Sequence, residues 1–368
     1  MNENRKSASS LRRLKLATAI TLSVAASQTW AGTITVGGAC LLQDAITAAE
    51  TDTATGGCVA GSGADTVVLT GDVSITAAGG TTGFEPTGLP PVGSTITIQG
   101  NGHAIARDPA AASFMMIQVK STGVLTLDHV TLSGGSGNNV GGIDNQGHLA
   151  IVDSTITGNT GSNVGGVIND NPNATDSTLT VVRSLFSDNH GSGNGGAIFN
   201  YAGHAQLSNC TLSGNSAAFG GGLDNDPTFF SKPAATATLD HCTLSGNTAS
   251  AESGQILNQN DAQVTLIGTV INGEYNCQGN APTIDGGANL GSDNSCTGST
   301  LLTGFDAQLR DNGGPTLTHA LLLGSPAIDA GGACGLATDA RGVARDAHCD
   351  SGAYESNDHI FRNGFETP

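Results

Sequence analysis

The sequence predicts an all-β protein: a right-handed, single-stranded parallel β-helix with an N-terminal capping helix and a loop-rich C-terminal extension. Three observations favour this fold class, namely a repeated pair of short segments, alternating apolar and polar residues within them, and glycine-rich turns with no helical pattern between copies. The first segment occurs as LTLDHVTLSGG (125–135), LAIVDSTITGN (149–159), LTVVRSLFSDN (179–189), AQLSNCTLSGN (205–215) and ATLDHCTLSGN (237–247). The second segment ends at Asn145, Asn169, Asn200, Asn225 and Asn258.

The first segment reads as a strand with one buried face. Leu125, Leu127, Val130 and Leu132 are its apolar positions, and alternation with a period of two places such residues on one side of a strand. In a solenoid these residues face the interior and stack from coil to coil. The asparagines that end the second segment should stack in the same way, with their amides hydrogen-bonded along the ladder.

The predicted solenoid begins with a helix. CLLQDAITAAE (40–50) places Leu41, Leu42, Ala45, Ile46 and Ala49 at helical spacing, as expected of a lid over the open apolar end of a solenoid. The predicted division of the chain is a signal peptide (1–31), a capped β-helix (32–300), a distinct C-terminal region (301–355) and a tail (356–368).

Residues 1–31 have the pattern of a secretory signal peptide, with basic residues before a short apolar run and small residues before Gly32. This segment holds five of the 13 Lys and Arg residues and one of the 31 Asp and Glu residues, which leaves 8 basic against 30 acidic residues, a net charge of −22. Such a charge argues against nucleic acid and anionic membranes as partners. We therefore expect export, with a secreted or cell-surface location.

Eight cysteines follow the signal peptide, and an even count in an oxidising compartment favours disulfides. Proximity in sequence favours Cys40–Cys58, Cys277–Cys296 and Cys334–Cys349, which leaves Cys210 and Cys242 to pair with each other. These two occupy the same inward position of consecutive coils, where stacked strands lie ~4.8 Å apart, so a bridge is feasible. Two buried reduced thiols are the alternative.

The lengths of the connecting segments vary mainly at one corner of the coil, after the ladder asparagines. Insertions on one face of a solenoid often form its binding face. The two longest segments are 170–177 and 226–235. The residues predicted to bind a ligand there are Asp170, Asp176, Phe229, Phe230 and Lys232.

Three stretches resemble exported β-helix proteins. CLLQDAI (40–46), followed by Asp65-Thr66-Val67, resembles the Cys-Ser-Leu-Arg-Glu-Ala-Ile motif and its Asp-Thr-Ile strand, with Leu41, Gln43 and Asp44 replacing Ser, Arg and Glu. The glycine-rich repeats are similar to those of pectin-lyase-like and polymorphic outer-membrane-protein-like solenoids. Residues 312–331, 338–345 and 349–355 resemble the choice-of-anchor Q domain, which implies an outer-membrane or surface anchoring machinery as a partner.

The pectin-lyase-like resemblance implies an alternative function as a polysaccharide lyase or hydrolase. Aligned on the turn residue, one outward column contains His129, Asp153, Arg183, Asn209 and His241, and such groups can perform acid–base chemistry. Polar residues are, however, ordinary beside a turn on a half-solvated sheet. We therefore assign no catalytic residue, with His129, Asp153, Arg183 and His241 as the candidates.

No cofactor is expected, although Asp170, Asp176, Asp224 and Asp226 near the long segments would suit Ca²⁺. The preferred interpretation is a secreted or cell-surface protein that acts in adhesion or surface interaction, without enzymatic activity. Its expected partner is a cell-surface glycan or protein ligand.

Overall fold

The chain is a parallel β-helix solenoid. The computed structural model describes residues 31–170, 177–227, 235–280, 283–296, 300–332 and 334–356. The strands of successive coils pair in parallel and form four sheets along the solenoid, which confirms the predicted fold class. The predicted signal peptide (except Ala31) and the tail after Ser356 lie outside the described residues.

Two ten-stranded sheets run along the solenoid. Sheet 1 consists of β1 (Thr33–Val36), β2 (Asp65–Leu69), β6 (Thr95–Gln99), β9 (Val124–Asp128), β13 (His148–Val152), β17 (Thr178–Val182), β21 (His204–Ser208), β25 (Thr236–Asp240), β29 (Gln263–Ile267) and β32 (Thr283–Asp285). Sheet 2 consists of β3 (Val73–Ile75), β7 (Ala104–Arg107), β10 (Thr131–Ser133), β14 (Thr155–Thr157), β18 (Leu185–Ser187), β22 (Thr211–Ser213), β26 (Thr243–Ser245), β30 (Val270–Asn272), β33 (Leu290–Gly291) and β34 (Thr300–Leu301).

Two further sheets and a hairpin complete the coils. Sheet 3 consists of β11 (Ser136–Gly137), β15 (Thr160–Gly161), β19 (His190–Gly191), β23 (Ser216–Phe219) and β27 (Thr248–Glu252). Sheet 4 consists of β8 (Ile117–Val119), β12 (Ile143–Asn145), β16 (Val167–Asp170), β20 (Ile198–Tyr201), β24 (Leu223–Asn225), β28 (Ile256–Asn258) and β31 (Cys277–Gln278). An antiparallel hairpin, β4 (Gly80–Thr81) with β5 (Pro86–Thr87), projects from the early coils.

The predicted first strand is in fact two strands separated by a corner. His129 has φ 52° between β9 and β10, and the equivalent Asp153, Arg183, Asn209 and His241 have φ 49°, 47°, 54° and 50°. A single residue in the left-handed region redirects the chain from sheet 1 to sheet 2. The inward positions on both sides of the corner are buried as predicted, with Leu125, Leu127, Val130 and Leu132 at most 1% exposed.

The asparagine ladder forms as predicted inside the corner after sheet 4. Each side-chain amide donates to the next asparagine, with distances of 2.7, 2.8, 2.7 and 2.9 Å from Asn145 through Asn169, Asn200 and Asn225 to Asn258. A second ladder, which the sequence interpretation missed, joins Asn159, Asn189, Asn215 and Asn247 after sheet 2. Its signal was the asparagine of each TGN, SDN or SGN run.

The predicted capping helix is α1 (Leu42–Thr51). Leu42, Ala45, Ile46 and Ala49 are buried against the first coils, as expected. Leu41 is an exception because it is the N-cap residue and is 59% exposed. The helix therefore covers the apolar end of the solenoid, but its buried face begins at Leu42 rather than at Leu41.

Three of the four expected disulfides are present: Cys40–Cys58, Cys277–Cys296 and Cys334–Cys349. Each closes a short loop, and their presence indicates an oxidising, extracellular environment. No helix within the described residues is long and apolar enough to cross a bilayer.

The fourth disulfide is a correction, because Cys210 and Cys242 are buried free thiols. Each thiol points back to main-chain carbonyls: Cys210 Sγ lies 3.3 Å from Val181 O, and Cys242 Sγ lies 3.5 Å from Leu207 O. The hydroxyl of Ser184 makes the equivalent contact with Ile151 O at 3.2 Å. Cys210 and Cys242 thus occupy the inward position that Ser184 occupies in its own coil. Burial raises the pKa of the Cys242 thiol well above its usual value.

We expect alkylation of the unreduced protein to label neither Cys210 nor Cys242 in the native state, since both side chains are fully buried. The same reagent in denaturant, still without reductant, should label both, as measured by peptide mass spectrometry. Failure to label the denatured chain would show that the two thiols are bridged.

The C-terminal region lies along the side of the solenoid. Val270 and Leu290 of the last coils share an apolar cluster with Leu302, Leu321 and Ala327. Main-chain contacts reach the corner as well, since Gly352 N donates to Gly268 O at 2.7 Å. This region therefore covers part of the corner column.

Candidate functional site

A cleft of about 560 Å³ lies on the outer face of sheet 4. Asp144, in the middle of β12, forms its floor between Gln118 and Ile168, its partners in the neighbouring strands. Asp144 points outward because Ile143 and Asn145 on either side of it face the buried interior. Alternation along a short strand thus places a carboxyl group at the bottom of a cleft.

Two amides hold the Asp144 carboxyl group. Gln118 Nε2 donates to Asp144 Oδ2 at 3.2 Å, and Gln146 Nε2 donates to the same oxygen at 3.0 Å. Burial, together with the charges of Asp170 and Glu85, raises the pKa of Asp144 to about 7, although the hydrogen bonds from the two amides oppose the shift. At neutral pH this group is therefore both a hydrogen-bond donor and an acceptor.

The hairpin of β4 and β5 forms one wall of the cleft. Glu85 accepts hydrogen bonds from Asn139 N at 3.1 Å and Val140 N at 3.4 Å, which fixes the hairpin against the segment before β12. Phe84, at the hairpin tip, also lines the cleft, yet 99% of its surface is exposed. An aromatic ring left fully in water beside a polar cleft is available for contact with a ligand.

The chemistry of the lining is uncharged or acidic. It comprises Thr82, Phe84, Glu85, Gln118, Asn138, Asn139, Asp144, Gln146, Ile168 and Asp170. These described residues include amides, carboxyl groups and one aromatic ring, and none is Lys or Arg. Such a cleft can hydrogen-bond hydroxyl groups but offers nothing to neutralise an anionic ligand.

One predicted binding residue lies at this site. Asp170, at the end of β16, lines the rim of the cleft. Asp176, Phe229, Phe230 and Lys232 lie outside the described residues.

The sequence interpretation missed Asp144, Glu85 and Phe84. A signal for Asp144 was present, because the equivalent outward position is apolar in three other copies. Those residues are Ile168, Phe199 and Leu257.

Asp224 lies in the same outward row of sheet 4 as Asp144 and is the second acidic residue of that row. Its side chain is buried, one carboxyl oxygen has no hydrogen-bond partner, and burial, together with the charges of Asp226 and Glu252, raises its pKa well above the usual value. A carboxyl group that retains its proton is a poor Ca²⁺ ligand. In the described parts of the chain, the only three-residue group with metal-ligand spacing is elsewhere, at Asp128, His129 and Asp153.

The candidate catalytic column lies at the corner between sheets 1 and 2. Arg183 donates to both carboxylate oxygens of Asp153, at 2.7 and 2.5 Å, and His129 Nδ1 lies 2.7 Å from Asp128 Oδ1. The bonds to Asp153 raise the pKa of Arg183, so its guanidinium group is a poor base. They also occupy Asp153, so a cation bound by Asp128, His129 and Asp153 would have to displace the guanidinium group.

The other end of this column is covered, contrary to the expectation of an outward, solvated row. Asn209 Nδ2 donates to Thr338 O at 2.7 Å, and His241 is completely buried with its Nε2 3.7 Å from Cys349 Sγ. The C-terminal region therefore separates His241 from solvent. The corner between sheets 1 and 2 aligns the residues of this column in one row, but the row does not form one open site.

Comparison of the chain with protein-family models, with curated proteins and with solved structures finds no match.

Proposed function

We propose that this chain is an exported surface-interaction protein that binds an uncharged, hydroxyl-rich glycan in the sheet 4 cleft. The observation that carries the proposal is the lining: amides and carboxyl groups surround Asp144, and the lining residues include no basic side chain. Sugar hydroxyls both donate and accept hydrogen bonds, as these groups do. The exposed ring of Phe84 adds an apolar surface for the face of a sugar ring.

The three disulfides support a role outside the cell, and the acidic charge of the chain agrees with an uncharged rather than an anionic ligand. The resemblance of residues 312–355 to an anchoring domain adds a surface location to the proposal. Adhesion through a glycan would follow from binding at such a location.

Hydrolysis of a polysaccharide is the second candidate function, and one observation favours it. A carboxyl group with a pKa of about 7, as for Asp144, can protonate a leaving oxygen at neutral pH. Elimination by a lyase has less support, because the Arg183 guanidinium group is held by Asp153.

The test is binding of a panel of neutral and uronate oligosaccharides, measured by calorimetry. We expect neutral oligosaccharides to bind more tightly than uronates, and Phe84→Ala to weaken binding about tenfold, or ~1.4 kcal/mol, because an aromatic contact is lost. Leu323→Ala is the matched control, because Leu323 is 93% exposed but lies in the C-terminal region.

Tighter binding of uronates, or equal affinity of both variants and the unmodified protein, would contradict the proposal. Product analysis of the same mixtures separates the two candidate functions, since only hydrolysis yields new reducing ends.

A further inference from the structure

Asp65 is an acidic residue that faces the interior of the solenoid. It begins β2, its side chain is 2% exposed, and it lies on the same inward face as Val67 and Leu69. Its partner in the next coil is Ile96, which is also buried. A carboxyl group among apolar side chains is costly unless hydrogen bonds or a counter-charge satisfy it. Asp65 therefore needs a partner that the apolar repeat does not supply.

Only one of the two carboxyl oxygens of Asp65 is satisfied. Asp65 Oδ1 accepts hydrogen bonds from Ser62 N at 2.7 Å and from Gly32 N at 3.1 Å. Asp65 Oδ2 is buried and has no hydrogen-bond partner, and no basic side chain of the described residues forms an ion pair with this group. Because nearly all buried polar atoms in folded proteins are paired, the carboxyl group lacks a donor on one side.

Two glycines let the main chain approach both carboxyl oxygens. A Cβ atom on Gly32 would overlap Asp65 Oδ1, and a Cβ atom on Gly61 would overlap Asp65 Oδ2. Any other residue at either position would therefore push the carboxyl group away. The close approach of Gly32 N to Asp65 depends on the absence of a side chain at residue 32.

Gly32 is also the first residue after the predicted signal peptide. Cleavage after Ala31 converts Gly32 N from a peptide amide with one hydrogen into an ammonium group with three. An α-amino group ordinarily has a pKa of about 8, so it carries a positive charge at neutral pH. Three acceptors are available to its three hydrogens: Asp65 Oδ1, Oδ2 of the same carboxyl group, and Ser62 O, which lies 3.3 Å from Gly32 N.

We propose that removal of residues 1–31 creates a buried ion pair between the α-ammonium group of Gly32 and the Asp65 carboxylate, which holds the first coil against the capping helix. Gly32 O already accepts from Thr66 N at 2.8 Å, and Gly61 N donates to Ala48 O of α1 at 3.3 Å. The pair therefore joins the start of β1, the start of β2 and the helix. The inference rests on the export that the proposed function assumes, but not on the glycan.

The consequence is that the first coil reaches full stability only after processing. In the unprocessed chain Gly32 N is an uncharged amide, so the buried carboxyl group has no counter-charge. In the processed chain the new charge is held where a buried carboxylate is stabilised by it. Local opening of β1 and β2 should therefore be rarer in the processed chain, and hydrogen exchange measures such opening.

The experiment compares the mature chain that begins at Gly32 with the same chain that retains Thr29, Trp30 and Ala31. Retention keeps the Gly32 amide but moves the ammonium group three residues away. Each chain is made with and without Asp65→Asn, which keeps the shape of the side chain and removes its charge. Asp52→Asn is the matched control, because Asp52 is an exposed acid at the C-terminal end of α1.

We expect retention of the three residues to lower the protection of the β1 and β2 amides at least tenfold in the unmodified chain and in Asp52→Asn, but less than twofold in Asp65→Asn. Protection of β25, far along the solenoid, should not change. An equal loss of protection with Asp65→Asn would assign the effect to the added residues and would overturn the ion pair.

N-terminal sequencing of the protein recovered after export is the second measurement, with Gly32 as the expected first residue. A processed chain that begins at another residue would overturn the ion pair alone. A chain that is neither exported nor cleaved would overturn the ion pair together with the export that the proposed function assumes. Gly32 as the first residue, without the dependence of protection on Asp65, would overturn the ion pair and leave the proposed function intact.

Discussion

Asp144→Asn should make the folded chain more stable at pH 8 and should flatten the dependence of its stability on pH. Burial, aided by the charges of Asp170 and Glu85, raises the pKa of Asp144 from 3.8 to about 7. The folded state therefore holds a proton that the unfolded state releases at a lower pH. The stabilisation from this more tightly bound proton is fully present below about pH 4 and is lost as the pH rises through about 7.

The magnitude follows from the size of the shift. Each pKa unit corresponds to ~1.4 kcal/mol, so the shift represents about 4 kcal/mol between acidic and mildly alkaline pH. Asparagine carries no charge at either pH and can still accept a hydrogen bond from Gln118 or Gln146. The measurement is the free energy of unfolding in urea from pH 4 to 8 for both proteins.

Asp72→Asn is the control, with the opposite expected sign. A hydrogen bond from Ala104 N and the contact with His103 lower the pKa of Asp72, so its charged form favours folding above about pH 4. This substitution should lower stability at pH 8. Parallel stability profiles for Asp144→Asn and the unmodified protein would show that the cleft carboxyl group is solvated.

The coil architecture could be predicted from the sequence because it depends on local repetition. The ladder asparagines and the apolar inward residues recur in every copy, and the three observed disulfides join cysteines near each other in sequence. Even the corner left a trace, because Leu127 and Val130 both face inward although three positions separate them. A continuous strand would place them on opposite faces.

The site could not be predicted in the same way, because its walls come from distant parts of the chain. Glu85 reaches Asn139 across 54 residues, and Asn209 is covered by Thr338 across 129 residues. No repeat encodes such contacts. The pairing of Cys210 with Cys242 was wrong for a related reason: their proximity is real, but main-chain carbonyls of the same and preceding coils hold each thiol.

Arg345→Met should destabilise the docked C-terminal region by about 3–5 kcal/mol, because it leaves a buried carboxylate without its counter-charge. The Arg345 side chain is completely buried and donates to Glu355 Oε2 at 2.8 Å. Burial lowers the pKa of Arg345 and raises that of Glu355, which means that burial disfavours both charges. Each charge is stabilised in the interior by the opposite charge of its partner.

Arg345 also joins the C-terminal region to the solenoid, since its Nη2 donates to Asn209 Oδ1 at 2.8 Å. Loss of this side chain should therefore release the cover over His241. Hydrogen exchange would show this as faster exchange at the corner amides of Asn209 and His241, together with a lower free energy of unfolding in urea.

Arg310→Met is the matched control, because Arg310 forms an exposed salt bridge with Asp306 at 2.8 Å. Exposed pairs contribute ~0.2–1 kcal/mol, so its stability should change little. Arg345→Met combined with Glu355→Gln should recover part of the loss, because neither unpaired charge then remains buried. If Arg345→Met costs no more than Arg310→Met, packing of the C-terminal region rather than this ion pair holds it against the solenoid.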